Sequence, residues 1–199
     1  MALLDWMAEP TGPQVAGQGV LLRTPRAADY AAWSELRGQS RDYLQPWEPA
    51  WPEDDLGRAA YRRRLAIYER ERELGNAWPF FIFDHQDRLA GGITLSNIRR
   101  GVAETGTLGY WIGLPHAGQG LATAAVSVLR RYAFTDLKLH RLEAACVPHN
   151  HASRRVLEKS GFRLEGQAKA YLKINGVWAD HLLFGLLSEE ADAGGRPAS

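Results

Sequence analysis

The chain has 199 residues, with 24 Lys and Arg against 23 Asp and Glu and a formal net charge of +1. That length fits one domain with modest additions, and the near-neutral balance excludes a general nucleic-acid grip, which needs a basic excess to displace counterions. No apolar run is long enough to cross a bilayer, acid interrupts Ala2-Leu-Leu-Asp-Trp-Met7 too early for a signal segment, and one cysteine rules out an internal disulfide framework; a cytoplasmic protein with no membrane partner is expected.

In chain order, residues 1–19 read as an N-terminal extension and Val20 to Thr24 as a first strand, followed by a helix from Arg26 to Arg37. Trp47 through Pro52 is a loop rich in tryptophan and proline. Asp54 and Asp55 start a long helix to Leu74, with Tyr61, Leu65 and Tyr68 inward and Arg58, Arg62, Arg64 and Arg70 largely outward. Interleaved Glu69, Glu71 and Glu73 make that basic face a solvated one rather than a phosphate or RNA site. Trp78 to Phe83 and Leu89 to Ile98 form a hairpin around Asp84 to Arg88, and Thr105 to Leu114 completes a meander. Phe162 to Ile174 and Val177 to Leu187 form a last hairpin around Asn175-Gly176, and residues 188–199 read as a disordered tail. One domain over 20–187 is expected.

Between these pieces lie two strand-to-helix junctions. The first is Gly109-Tyr-Trp-Ile-Gly-Leu-Pro-His-Ala-Gly-Gln-Gly-Leu-Ala-Thr-Ala124, in which Leu121, Ala125, Val128, Leu129 and Tyr132 fall at helical spacing. Gly118 and Gly120 let the backbone curl and bring several N–H groups close to an anion, and the helix adds its positive end. Two glycines alone, without their neighbours, read more simply as a plain turn. The turn has no lysine followed by Ser or Thr, as a P-loop requires, and lacks the three early glycines of a dinucleotide fold, so a coenzyme diphosphate held by main-chain donors fits best. The second junction follows the strand Arg141 to Cys146: Asn150 is an N-cap, Ala152, Val156 and Leu157 an inner stripe, and Gly161 the stop. A crossover of this kind brings both helix N-termini to one sheet end, where ligands collect.

The chain resembles the GNAT acetyltransferases, and within them the RimJ/RimL-like ribosomal-protein N-terminal acetyltransferases, closer to the RimJ side. The resemblance runs from Val20 to Leu187 and rests on Arg41-Asp-Tyr-Leu-Gln-Pro-Trp-Glu-Pro49, Leu95-Ser-Asn-Ile98, Leu108-Gly-Tyr-Trp-Ile-Gly113, Pro148-His-Asn150, Ser160-Gly-Phe162, and Tyr171-Leu172 with Gly176-Val-Trp-Ala-Asp-His181. It implies an α/β (α+β) fold: a single mixed, mostly antiparallel twisted sheet of about seven strands with a central splayed parallel pair and helices on both faces. It implies acetyl-CoA as cosubstrate, held at Ala117, Gly118, Gln119, Gly120, Leu121, Ala122 and Thr123. Ala117 stands where the family usually opens the turn with glutamine or arginine, and Leu157 where many members carry a thiolate-protonating tyrosine. Ser153 looks like the serine that RimL-type enzymes place beside the coenzyme sulfur.

In the chemistry that follows, a neutral amine attacks the thioester carbonyl directly, with no metal and no covalent enzyme intermediate. A backbone N–H around Trp111, Ile112 and Gly113 meets the oxyanion where the strands part to admit the pantetheine arm, and Asn150 caps its helix while touching that arm. Glu104 is the leading base, against a plain turn glutamate; Ser153 hydrogen-bonds the leaving sulfur or merely helps the cap. Trp47, Glu48, Tyr110 and Tyr171 are acceptor-site candidates, Glu48 for the ammonium, with His181 adjacent; each has a bland alternative as a loop or strand residue. The family's acid before the tyrosine is replaced by Ala170. Cys146 is a buried thiol or, less simply, a nucleophile activated by His149; His149 and His151 lack further ligands, so no metal is expected.

An α-amino group ionises near pKa 7.7–8.0 and is partly neutral at physiological pH, which favours a protein N-terminus as acceptor, such as a ribosomal protein starting with alanine or serine. A small amine (amino acid, polyamine or drug) as acceptor and a non-catalytic acyl-CoA sensor are the alternatives. A monomer and a homodimer fit the sequence equally.

Overall fold

Among the described residues the meander forms part of one eight-stranded sheet. The computed structural model describes residues 12–193, with strands β1 (Gln14–Gly17), β2 (Val20–Arg23), β3 (Trp78–Phe83), β4 (Leu89–Arg99), β5 (Thr105–Ile112), β6 (Arg141–Cys146), β7 (Arg163–Ile174) and β8 (Val177–Leu187). The helices are α1 (Tyr30–Gln39), α2 (Arg41–Leu44), α3 (Arg58–Glu73), α4 (Leu121–Thr135), α5 (His151–Lys159) and α6 (Ser188–Ala193). The sheet order is β1-β2-β3-β4-β5-β6-β8-β7, antiparallel throughout except for β5 and β6.

Eight strands replace the expected seven because β1 lies within the segment read as an extension. Gln18 and Gly19 both take positive φ, at 54° and 77°, in a two-residue turn that pairs Gly17 with Val20. The first six residues of the expected tail form α6. The Ala2–Met7 segment lies outside the described residues. Helix α1 starts later than expected, because Ala27–Asp29 form a single 3-10 turn in which the Asp29 carboxylate accepts from the Arg26 N–H and pairs with Arg23. Helix α3 starts at Arg58 after a turn closed by Gly57 N–H to Asp54 C=O.

Strand alternation divides the core into two layers. Phe80 and Ile82 face α4, whose Ala125, Val126, Val128, Leu129 and Ala133 are buried, whereas Phe81 and Phe83 face Trp33, Leu36 and Tyr61 of α1 and α3. Tyr61 is wholly buried and donates its hydroxyl to Arg26 C=O at 2.8 Å. Arg64, expected outward, turns half-inward: its guanidinium meets Asp55 at 2.8 Å and lies 5.3 Å from the Trp33 ring.

At the sheet centre, β5 pairs with β6 only from Thr105↔Arg141 to Thr107↔Glu143. β5 stays paired with β4 as far as Ile112, and β6 with β8 as far as Cys146. The two strands therefore part from Leu108 onward, opening the sheet between Tyr110 on one side and α5 on the other.

Candidate active site

The splay is walled on one side by the turn ahead of α4. Gly118 and Gly120 have φ of 73° and 79°, a region that costs an L-residue roughly 1–2 kcal/mol, and an added Cβ at either would stand in open space. Gly120 is the N-cap of α4 and supplies no side-chain cap, so the N–H groups of the first turn have no side-chain partner and present the positive end of a fifteen-residue helix. Ser40, fully buried at the end of α1, accepts from Leu114 N–H at 2.9 Å and ties this segment to the opposite sheet face.

A cleft of about 460 Å³ runs from that turn to β5 and α5, lined by Ala117, Gly118, Gly120, Leu121, Ala122 and Thr123, by Trp111 and Ile112, and by Asn150 and Ser153. Gln119 and Gly113 do not line it. The Gln119 side chain donates to Pro115 C=O, and the Gly113 N–H is already taken by Ala90 C=O at 2.9 Å, which removes it as an oxyanion donor. Sequence reasoning missed Arg155 and Lys159, two exposed cations of α5 that line the same cleft, because their neighbours there come from distant parts of the chain.

Asn150 caps α5 by accepting Ser153 N–H at 2.9 Å. The Ser153 hydroxyl lies 3.0 Å from that of Tyr110, whose oxygen is also 3.2 Å from Ser153 C=O. Burial pushes the Tyr110 phenol above its ordinary pKa, the bond to Ser153 pulling the other way. It stays protonated across neutral pH. Leu157, in place of the usual tyrosine, is 1% exposed in the core. Burial likewise raises the Cys146 thiol, the reverse of what an activated nucleophile needs.

A second cleft, of about 440 Å³, lies on the α1 and α3 face and shares Glu48, Tyr110 and Trp111 with the first. Glu48 is held there by a feature the sequence did not disclose: Arg37, 6% exposed, donates to both of its carboxylate oxygens at 2.9 and 2.8 Å, and Trp51 Nε1 donates to Oε2 at 2.8 Å. The Arg37 guanidinium also lies 3.8 Å from the Trp51 ring and 4.9 Å from the Trp111 ring. Three of the carboxylate's roughly four acceptor positions are thus occupied, so Glu48 acts first as a wall fixed to Arg37. Trp47 lines the first cleft, its ring 5.5 Å from that of His149.

Two further expected residues are not brought in. Glu104 is exposed in the turn before β5, its C=O accepting from His140 and Arg141 N–H, at the end of the strand opposite Tyr110 and Trp111. Tyr171 is 46% exposed on the edge strand β7, 5.8 Å ring to ring from buried His181, and lines neither cleft. Among the described residues, no group of three or more His, Cys, Asp or Glu is placed to hold a metal ion, and no helix is long and apolar enough to cross a membrane.

A splayed parallel pair beside an uncapped glycine turn, with a second cleft on the opposite face, is the arrangement of a coenzyme-dependent acyl transferase. Residues 20–163 match the acetyltransferase (GNAT) domain model. The chain belongs to that family and is an acetyl-CoA-dependent N-acetyltransferase.

It is 36% identical over 175 residues to Probable N-acetyltransferase YjcK of Bacillus subtilis (strain 168), covering 87% of this chain and 97% of that protein. It is 35% identical over 166 residues to the [Ribosomal protein uS5]-alanine N-acetyltransferase of Escherichia coli (strain K12), covering 83% and 82%. Mycobacterium smegmatis RimJ in complex with CoA-disulfide superposes with a TM-score of 0.82 at 33% identity, covering 94% of this chain and 95% of that one.

Proposed function

We propose that this enzyme acetylates the α-amino group of a protein N-terminus, of the ribosomal-protein alanine type, in the cytoplasm. The observation that carries the reading is the meeting of two clefts at Glu48, Tyr110 and Trp111: coenzyme enters from the α4 and α5 side, and the acceptor comes from the α1 and α3 side. The similarity to a uS5-alanine N-acetyltransferase over most of both chains supports this acceptor class.

On this reading the first-turn amides of α4 with Gly118 hold the coenzyme diphosphate, Arg155 and Lys159 add charge at the rim, and the pantetheine arm fills the gap between β5 and β6 like a short strand. The neutral amine attacks the thioester carbonyl. The main-chain N–H of Ile112, which lies at a non-hydrogen-bonded position of the β4–β5 ladder and so points into the gap, faces the developing oxyanion, whereas that of Trp111 is turned toward β4. Collapse expels the thiolate, which takes a proton from the Tyr110 and Ser153 hydroxyl pair; the amine's surplus proton, relayed through water, returns to that pair and restores it. With a free α-amino group already partly neutral near pH 7.7–8.0, little base assistance is needed.

The test is thiol release from acetyl-CoA with N-terminal peptides beginning with alanine or serine beside amino acids, polyamines and other small amines. Turnover of the peptides at the highest kcat/KM is expected. Turnover of small amines with no peptide activity overturns the acceptor assignment.

A further inference from the structure

Glycine in a strand interior costs about 0.5–1 kcal/mol relative to alanine, so a strand glycine calls for a reason. On β4 and β5 most of the reasons are packing. A Cβ on Gly91 would strike the main chain of Trp111, one on Gly92 would lie 2.5 Å from the Trp111 indole nitrogen, and one on Gly106 would lie 2.8 Å from Ile98. Gly109 differs. It does not have positive φ, and an added Cβ would meet nothing within 4 Å.

Its position gives the remaining reason. Gly109 is exposed, pairs with Thr94 of β4, and lies two residues beyond Thr107, the last position at which β5 pairs with β6. It lines the second cleft together with Thr94, Ser96 and Trp111, and its neighbour Tyr110 lines both clefts. Open space over a strand glycine next to the reacting centre is the signature of a ligand main chain that approaches closely.

We propose that Gly109 is a specificity-determining residue: its missing side chain opens the floor of the acceptor cleft, so that the main chain of an N-terminal peptide lies directly against β5. This rests on the N-terminal-peptide reading and extends it, since a peptide reaching past its first residue crosses Gly109, whereas an acceptor of one residue stops at the wall shared by Glu48, Tyr110 and Trp111.

The test compares the wild-type enzyme with Gly109→Ala and Gly109→Val, using alaninamide and an eight-residue peptide with the same first residue. Open space at the position and the strand preference of valine predict that both variants fold and bind acetyl-CoA by calorimetry within about twofold of wild type. For the octapeptide, kcat/KM falls about tenfold in the alanine variant and about a hundredfold in the valine variant, mainly through KM, while alaninamide changes less than about threefold. Unchanged octapeptide kinetics in Gly109→Val, or an equal loss on both acceptors, overturns the proposal. If the valine variant fails to bind coenzyme, the alanine variant decides by the same criteria. A wild-type enzyme that turns over no peptide refutes the acceptor class in the control reaction, before any variant is compared.

Discussion

Arg37 and Glu48 are joined through both terminal guanidinium nitrogens and both carboxylate oxygens, at 2.9 and 2.8 Å, and Glu48 lines both clefts at the point where they meet. Lysine cannot reproduce a two-pronged bond or the stacking on Trp51 and Trp111. Arg37→Lys is therefore expected to raise the acceptor KM about tenfold and leave the coenzyme Kd within about twofold. Steady-state kinetics with calorimetry check it; unchanged acceptor KM would remove Arg37 from acceptor positioning.

Gly118→Ala and Gly120→Ala each put a Cβ on a left-handed residue in open space, so the penalty falls on turn conformation and not on packing. Acetyl-CoA Kd should rise about five- to tenfold in each, and the melting temperature should fall by about 2–4 °C for each kcal/mol of strain. Calorimetry and thermal denaturation separate the two effects.

Tyr110→Phe and Ser153→Ala remove opposite ends of one hydroxyl pair 3.0 Å apart. Each is expected to lower kcat about ten- to a hundredfold without weakening coenzyme binding, and the double variant should be no worse than the poorer single one if, as proposed, both serve one proton path. Since burial holds the phenol above its usual pKa, activity should show no Tyr110 ionisation between neutral pH and the ordinary tyrosine range. Additive losses would argue for independent roles.

Glu104→Gln is expected to retain full activity from about pH 6 to pH 9, since the carboxylate is remote from the reacting centre and a base there would act chiefly at lower pH. A loss concentrated at the acid end would restore Glu104 as the base.

Asp84 closes the β3–β4 turn, accepting from the N–H groups of Gln86 and Arg88 at 2.9 Å each and from Arg88 Nε at 2.8 Å. Burial opposes its charge, but these donors outweigh it and lower its pKa from 3.8 to about 2. A folded pKa below the unfolded one gives stability that is complete above the ordinary carboxylate range and disappears as pH falls through about 2. Asp84→Asn should melt about 2–4 °C below wild type at neutral pH, and the two melting curves should converge as the solution is acidified from about pH 4 toward pH 2.

Strands β3 and β6 could be read to the residue because each is a short apolar or alternating run bounded by turn formers, and the Asn175-Gly176 hairpin because that dipeptide favours positive φ at both positions. Strand β1 escaped because Gln18 gives no such signal, although it adopts the same backbone. The glycine turn and the Asn150 cap were legible because both are local. Arg37 was not, because its partner lies eleven residues away across a loop and only the packing of Trp51 and Trp111 brings the two together. The placement of Glu104 outside both clefts was not legible for the complementary reason: nearness in sequence to the central strand says nothing of which end of that strand opens into them.

The three-residue contact between β5 and β6 leaves the middle of the sheet, and not its rim, as the place where a ribbon is missing. A thioester carrier that slots into this gap restores continuity to the hydrogen-bonded scaffold. Amide exchange along Leu108 to Ile112 should therefore slow on saturation more than exchange at either outer margin, so that the substrate serves for part of each cycle as a ninth strand of its own catalyst.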